Sequence, residues 1–517
     1  MGMYDLIDEL LTRREKLKLG GGEDIIAKRR AKGMLTARER IDALCDYGSF
    51  QETSLFVKHH STNFDMKDKE IPAEGVVTGY GLVDGRPVYI GSQDFTALAG
   101  TVGLEGARKV CDVMDGAMKA GVPFVFINDS GGARVQEGVD ALSGYGQIFY
   151  RNVLMSGLVP QISVIAGSCA GGAAYSPALT DFIILVRNQG QMYITGPKII
   201  KEIIGEEISA EELGGADSHA ERSGVIHFEA DSEEQAMGIV RKLLAFLPSN
   251  NTEEPPIRYS DRREVLEPDP LLNDIIPDNP RQPYDMRSII FRVVDREDFL
   301  EVRARFAPNI IVGFGRINGR TVGIVANQPM VKGGVLDINS SDKAAGFIRF
   351  CDAFNVPVVT FVDVPGFLPG KEQEFGGIIR HGAKMIFAYS ASTIPKITII
   401  VRKAYGGAYL AMCGKDMGAD RVAAWPSAEV AVMGAEGAVA LLYSKQLKES
   451  SDRKKKTAEL VAEYKSQFSS PYTAAARGYI HNIIEPAETK SYIAVNLELL
   501  ASKRENRPMK KHGLMPL

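Results

Sequence analysis

Cysteine is scarce in this chain of 517 residues: five thiols stand at positions 45, 111, 169, 351 and 413, with no C-x-x-C pair and no histidine at ligand spacing. A disulfide framework and a structural zinc are thereby excluded as organising devices, and a reducing compartment fits. The seven histidines form no H-x-x-x-H or H-E-x-x-H pattern, so no metal is expected. A Walker A loop is missing, which removes that mode of ATP binding. Charge of one sign is missing too. The 61 Lys+Arg against 65 Asp+Glu leave a net charge of −4, so nothing attracts nucleic acid. The most apolar stretch, "QISVIAGSCAGGAAYSPALTDFIILV" (161–186), is broken by Gly, Pro and Asp181; it suits strand, turn and helix in a core, not a membrane span. The opening "MGMYDLIDELLTRREKLKLGGGED" alternates charged and apolar residues at helical spacing and holds no signal-peptide core. The expected location is cytoplasmic, peripheral to a membrane only through partner subunits.

What is present is the composition of an ordinary globular protein, 45% apolar and 24% charged, at a length that implies two or more domains. Residues 1–50 read as a helical arm in which Thr36 and Glu39 form a capping box. Seven prolines between 255 and 283 mark a linker, 255–285, between an N-terminal domain (51–254) and a C-terminal domain (286–517).

The two halves repeat. "GYGLVDGRPVYI" from Gly79 matches "GFGRINGRTVGI" from Gly313, and "VPFVFIND" from Val122 matches "VPVVTFVD" from Val356, both 234 residues on. "VPQISVIAGSCAGGAAY" matches "IPKITIIVRKAYGGAYL", with Gly171 and Gly406 at 235. Three matches at almost one offset indicate a duplicated domain. Each copy opens with an Asp-Gly or Asn-Gly hairpin (Asp84-Gly85, Asn318-Gly319), followed by an amphipathic helix, an apolar strand ending in Asp, a helix, a second apolar strand and a Gly-Gly turn. That order predicts an α/β fold with a parallel sheet covered by helices.

In such units ligands bind beyond the carboxyl ends of the strands. Glycine there lets the backbone approach a ligand, and the free N–H groups of a following helix favour an anion. Two converging amides form an oxyanion hole, worth about 3 kcal/mol per donor to a developing enolate. "CAGGAAY" and "AYGGAYL" therefore read as two anion-stabilising turns, suited to a reaction with two carbonyl-bearing partners. "NDSGGAR" (128–134) reads as a ligand-contacting loop, since Ser130 lacks the G-x-S-x-G setting. "DVPGFLPG" (363–370) is its counterpart. Lys119 in "AMKA" and the run "DRKKK" (452–456) read as surface charge, His381 as structural, and Glu137 as the one tempting acid–base candidate. Opposite Arg402 and Lys403 the first copy is expected to have Ser168 and Cys169.

With "LTARERID", "SQDFTALAGTVG", "NDSGGARVQEGVDALSGYGQIF", "CAGGAAYSPALTDF", "VDVPGFLPG", "GGIIRHGAKMIFAYS", "RKAYGGAYLAM", "AWPSAEVAVMGAEGA" and "KKHGLMPL" in order, nearly the whole chain resembles the carboxyltransferase subunits of biotin-dependent acyl-CoA enzymes. These include the propionyl-CoA carboxylase β, methylmalonyl-CoA decarboxylase α and transcarboxylase subunits. The resemblance implies tandem crotonase-like (ClpP/crotonase) domains in a homo-hexamer, with the site between the N-terminal domain of one subunit and the C-terminal domain of a neighbour. Gly171 and Gly172 would hold the thioester oxygen of an acyl-CoA, with Gly131, Gly132, Ala133, Arg134, Tyr145, Tyr409 and Leu410 around the substrate. Gly407 and Ala408 would hold the ureido oxygen of biotin, with Arg402, Tyr405, Gly406, Gly366 and Phe367 on that side. Biotin would arrive on a separate carrier protein, and its anion would remove the α-proton before the enolate attacks CO2, so the cofactor supplies the base.

Many propionyl-CoA carboxylases carry Asp where this chain has Leu410, and "AYLAMC" with the tail resembles the transcarboxylase and decarboxylase branches. The implied reaction is transfer between methylmalonyl-CoA or propionyl-CoA and carrier-bound biotin. The direction would depend on partner chains: a biotin carboxylase, membrane decarboxylase subunits or a second carboxyltransferase. Carboxylation of acetyl-CoA or another acyl-CoA is the near alternative. A crotonase-type hydratase or isomerase and a non-catalytic assembly subunit are the alternatives of another class.

Overall fold

A computed structural model describes residues 2–258, 261, 265–280 and 282–517. The chain divides into two compact units, Met1–Glu253 and Glu254–Leu517. The expected linker begins beside this division, and part of it (259, 260, 262–264 and 281) lies outside the described residues.

The first unit is built on an eight-stranded sheet of β1 (Gln51–Thr53), β2 (Val76–Val83), β3 (Arg86–Gln93), β4 (Phe124–Ser130), β5 (Gln161–Ala170), β6 (Phe182–Val186), β7 (Gln191–Tyr193) and β8 (Phe228–Ala230). Its order is β1-β2-β3-β4-β5-β6-β8, with β7 paired to β5. The β2–β3 hairpin turns at Asp84 (φ 50°) and Gly85 (φ 76°), the left-handed pair that an Asp-Gly two-residue turn requires. From β3 onward the neighbours along the sheet run parallel. All seven residues of β4 are buried, as a strand covered on both faces demands. Helices Leu104–Ala120 and Val139–Met155 cross closely at Gly144, where a Cβ would stand 2.7 Å from that of Ala107. Val110, Met114, Phe124, Ile148, Ile165 and Leu185 share the resulting core.

The second unit repeats this plan with β9 (Phe299–Val302), β10 (Ile310–Ile317), β11 (Arg320–Asn327), β12 (Val358–Val364), β13 (Lys396–Tyr405), β14 (Arg421–Ala424), β15 (Glu429–Ala431) and β16 (Asn482–Ile483). The order is β16-β14-β13-β12-β11-β10-β9, with β15 paired to β13. Its hairpin turns at Asn318 (φ 53°) and Gly319 (φ 72°). Its core is centred on Ile324, Phe361, Ile399 and Trp425.

The duplication reaches further toward the N-terminus than the strand matches show. The helix Ala37–Leu44, capped by Thr36 and Glu39 as expected, packs within the first unit, and Arg287–Val293 occupies the same place in the second. Arg38 forks onto Glu52 of β1 at 2.7 and 3.2 Å, and Arg287 onto Glu301 of β9 at 2.8 Å twice. Asp46 accepts the amides of Asp84 and Gly85, and Asp295 those of Asn318 and Gly319. These paired residues are 249 apart, so the two copies differ by an insertion ahead of the hairpin.

Both sheets open at the same point. The β4–β5 register breaks between Asn128 and Ser130, and the β12–β13 register breaks between Val362 and Val364. Beyond the break β5 leaves β6 and pairs with β7 over Ser168–Ala170, while β13 pairs with β15 over Lys403–Tyr405. The splayed carboxyl ends leave room for the loops that follow. After β7 the first unit has the short helices Pro197–Ile204 and Ala210–Gly214; after β15 the second extends this region into a lobe of helices Ala435–Leu442, Ser444–Glu449 and Arg453–Tyr464, joined through Val439, Leu447 and Leu460. No helix among the described residues is long and apolar enough to cross a membrane.

Candidate active site

The first glycine turn leaves β5 in extended backbone at Ala170 (φ −112°, ψ 149°), bends at Gly171 (φ 63°) and enters a helical turn from Gly172. The second does the same at Tyr405 (φ −111°, ψ 132°) and Gly406 (φ 59°). Gly406 is thus the counterpart of Gly171, and Gly407 of Gly172, one residue ahead of the pair Gly407–Ala408 named for the ureido oxygen. At Gly406 a Cβ would lie 2.8 Å from the Val432 carbonyl oxygen, so the position admits only glycine; at Gly407 nothing stands within 4 Å. Ala408 is buried and Gly407 exposed. As the first residues of the helix Gly406–Ala411, they carry amides with no intrahelical acceptor.

Each turn faces a loop from the neighbouring strand. After β4, the Gly131 amide donates to Ala99, the Val102 amide to the Gly132 carbonyl at 3.0 Å and the Arg134 amide to the Val102 carbonyl at 2.9 Å. The Ala133 amide takes no part in this bridge, and Ala133 is exposed. The Gly132 amide is consumed by Ser130 Oγ (3.0 Å), which itself donates to Gly100 (2.7 Å); Ser130 is a loop fastener with no nucleophilic setting. In the second unit, Leu336 donates to Gly366 at 3.1 Å and Leu368 to Leu336 at 2.7 Å, leaving the Phe367 amide outside the bridge. The Phe367 ring packs on Gly382, where a Cβ would be 3.0 Å away. Each half thus offers two sets of amides, one on the glycine turn and one on the loop beside it, donors of the kind an oxyanion hole uses.

The remaining candidates divide into groups that face the turns and groups that hold them. Tyr145 packs its ring beside Gly172, where a Cβ would lie 3.8 Å from Cγ. Its hydroxyl is buried beside Ser130, and burial pushes its pKa up. Arg134 is fully buried, 2.7 Å from both Glu74 and Glu137. Glu137 also caps Leu104 at 2.8 Å. Tyr405 donates to Glu429, which also holds Lys465 at 2.7 Å, tying the second turn to the helical lobe. Tyr409 turns inward against Gly414, while Leu410 on the next position is 40% exposed. His381 is bound to Asp342 at 2.8 Å. Among the described residues no group of three or more His, Cys, Asp or Glu is placed to hold a metal ion.

Arg402 is buried against Asp363, with Nε 3.0 Å from Oδ2, and lies 4.9 Å over the Tyr284 ring. The register corrects its expected counterpart. Lys403 pairs with Glu429 as Ser168 pairs with Gln191, so Ser168 matches Lys403 and Gly167 matches Arg402. The shift follows from the 235-residue spacing of the glycine turns. Asp363 and its equivalent Asp129, both almost wholly buried, were visible in the sequence only as the ends of apolar strands. The cations of Asp129 were not visible: it is paired with Arg29 and with Arg40 (2.9 Å), both from the N-terminal helical region. The sequence match of "DII" at 24–26 with "DII" at 274–276 was the available hint that this region belongs to the repeat.

Residues 28–515 match the Carboxyl transferase domain family. The chain belongs to this carboxyltransferase family. The carboxyltransferase is 53% identical over 514 residues to the methylmalonyl-CoA carboxyltransferase 12S subunit of Propionibacterium freudenreichii subsp. shermanii, covering 99% of this chain and 98% of that one. It is 55% identical over 515 residues to the methylmalonyl-CoA decarboxylase subunit alpha of Veillonella parvula (100% and 99% covered). The propionyl-CoA carboxylase carboxyltransferase subunit of Haloferax mediterranei is 52% identical over 519 residues, with both chains covered completely. A solved structure of transcarboxylase 12S, described as a hexamer with methylmalonyl-coenzyme A and methylmalonic acid bound, superposes with a TM-score of 0.98 over 100% of this carboxyltransferase and 99% of that chain, at 53% identity. The expected crotonase-like duplication agrees with this fold.

Proposed function

We propose that this carboxyltransferase moves a carboxyl group between biotin on a separate carrier and a short acyl-CoA, methylmalonyl-CoA or propionyl-CoA, and that it works as a homo-hexamer. The observation that carries the reading is the duplicated turn with its companion loop. Two acyl-type oxygens, a thioester and a ureido oxygen, need two amide-lined sites. Gly172 and Ala133 would face the thioester oxygen as it gains enolate charge; Gly407, Ala408 and Phe367 would face the ureido oxygen. Carrier-borne biotin supplies the carboxyl group and the base. The fit on this chain's side is the open space at Gly407 and the uncommitted Phe367 amide. The exposed apolar Leu410 would give the acyl group a non-polar neighbour.

A hydratase or isomerase would need a free carboxylate pair beside the first turn. Glu137, the carboxylate the sequence offers, and Glu74 are both held by the Arg134 guanidinium, so neither is an available base. The named relatives act on methylmalonyl-CoA or propionyl-CoA, which favours those substrates over acetyl-CoA. Purified chain mixed with free biotin and methylmalonyl-CoA is expected to release propionyl-CoA, followed by chromatography of the CoA esters; no turnover with any short acyl-CoA would defeat the reading. Sedimentation at the mass of six chains is expected alongside.

A further inference from the structure

The two buried aspartates sit where both ladders fail. Asp129 is the residue skipped between Asn128 and Ser130 in the β4–β5 pairing, and Asp363 the one skipped between Val362 and Val364 in β12–β13. At these points side chains replace the missing backbone bonds. In the second unit the replacement is direct: Asp363 accepts the Lys403 amide at 3.1 Å and Arg402 Nε at 3.0 Å, both from β13, and the Tyr284 hydroxyl at 3.0 Å. In the first unit β5 offers Gly167 in place of Arg402. A Cβ at Gly167 would lie 2.0 Å from Asp129 Oδ1, so the carboxylate fills the space where a side chain would begin. The countercharge comes instead from Arg29 and Arg40. Arg40 donates to the Ala166 carbonyl of β5 at 3.0 Å while standing 2.9 Å from Asp129, and its Nε is 2.5 Å from Glu233.

Each network therefore fastens the two strands whose loops carry the amides of one candidate hole. Asp129 lies four residues before Ala133, and Gly167 lies five before Gly172; Asp363 lies four before Phe367, and Arg402 five before Gly407. We propose that the cations are positioning residues, each for its own half: Arg29 and Arg40 set the spacing of the acyl-CoA turn and its loop, and Arg402 sets that of the biotin turn. The assignment of substrates to halves rests on the function proposed above; the assignment of cations to turns does not. The N-terminal helical region thereby governs one substrate and not the other.

Kinetics of Arg29→Met, Arg40→Met and Arg402→Met with methylmalonyl-CoA and free biotin test this. In all three kcat is expected to fall on the order of 100-fold, the cost of a reacting centre misplaced by about 1 Å. KM is expected to rise only for methylmalonyl-CoA in the first two and only for biotin in the third. A general loss of packing would move both KM values together, and that result overturns the proposal. Should a Met variant fail to fold, Arg29→Lys and Arg402→Lys keep the charge but lose the planar fork, and the same split is expected at smaller size. Hydrogen exchange decides independently of turnover, and so separates this proposal from failure of the function. The Arg29 and Arg40 variants are expected to deprotect 131–134 and 171–173, the Arg402 variant 365–368 and 406–408. Unchanged exchange, or deprotection of both sets in one variant, overturns it.

Discussion

The two halves of this chain share a fold to the level of single hydrogen bonds, yet they solve one electrostatic problem differently. Both bury an aspartate at a broken ladder. The second half answers with Arg402 from the adjacent strand, a contact within one sheet. The first half answers with Arg29 and Arg40, which are 100 and 89 residues away in sequence from Asp129. The difference teaches that a duplicated frame can preserve a charge requirement while changing which element meets it. The hairpin-capping aspartates and the Arg–Glu forks, by contrast, are met by the same element in both halves.

The largest expected effect on turnover comes from putting a methyl group at each turn. Gly406→Ala meets the Val432 carbonyl at 2.8 Å in addition to its left-handed backbone, whereas Gly171→Ala meets nothing nearer than the Ile194 carbonyl at 3.8 Å. The left-handed conformation alone costs a side-chain residue about 1–2 kcal/mol. Gly406→Ala is therefore expected to lose on the order of 100-fold in turnover with free biotin through displaced amides, and Gly171→Ala distinctly less; steady-state rates giving equal losses would remove the asymmetry.

The second contrast is in stability. Asp363→Asn strands the Arg402 charge in a buried site, a change that typically costs about 3–5 kcal/mol. Asp129→Asn strands Arg29 in the same way while Arg40 retains Glu233, so a loss of similar size is expected. Urea midpoints of the two variants compare them, and a loss confined to one variant would contradict the equivalence.

The smallest effect is a difference in pH dependence between two equivalent lysines. Lys109 donates to the Ala73 and Val76 carbonyls, and Lys343 to those of Phe306 and Ile310. Burial pulls the Lys343 ammonium down to about 7 and Lys109 down to about 8. The unfolded chain keeps both near the ordinary value of about 10.4. Because the unfolded state binds more protons through that interval, stability rises with pH and is lost as pH falls through the folded value. The rise begins near pH 7 for Lys343 and near pH 8 for Lys109. Melting temperatures of Lys343→Met and Lys109→Met against the parent should differ in slope between those two values, with only the Lys343 variant flattened. Equal slopes would show that the two sites titrate alike.

Much of this was legible in the sequence. The duplication, the hairpins at Asp84-Gly85 and Asn318-Gly319, the long buried strands and the two glycine turns all announce themselves through local chemistry or repetition. Three-residue strands such as β7 and β15 were not legible, since three residues carry no periodicity; their pairing depends on where β5 and β13 bend. Arg402 looked like a cation beside a ligand site but is spent on Asp363, and Arg134 is likewise spent on Glu74 and Glu137. The Arg402–Asp363 and Arg134–Glu74 pairs join residues 39 and 60 positions apart, and no local pattern encodes them. Ala133 and Phe367 were marked as loop residues, but only the parallel bridges to Val102 and Leu336 show which of their neighbours' amides are spent.

The helix that precedes each hairpin, with its arginine fork and its aspartate on the turn, has a historical consequence. A polypeptide half this length would already contain a clasp, a hairpin, a sheet with its own core and one amide-lined turn. Joining two such polypeptides would leave the second turn redundant as long as both met the same kind of oxygen. Redundancy would free one copy to drift, and the two halves now differ at the equivalent places Gly167 and Arg402 and in the extent of the helical lobe. The capacity for a two-substrate reaction would then be a by-product of gene fusion, acquired by specialising a spare part and not by inventing a new one.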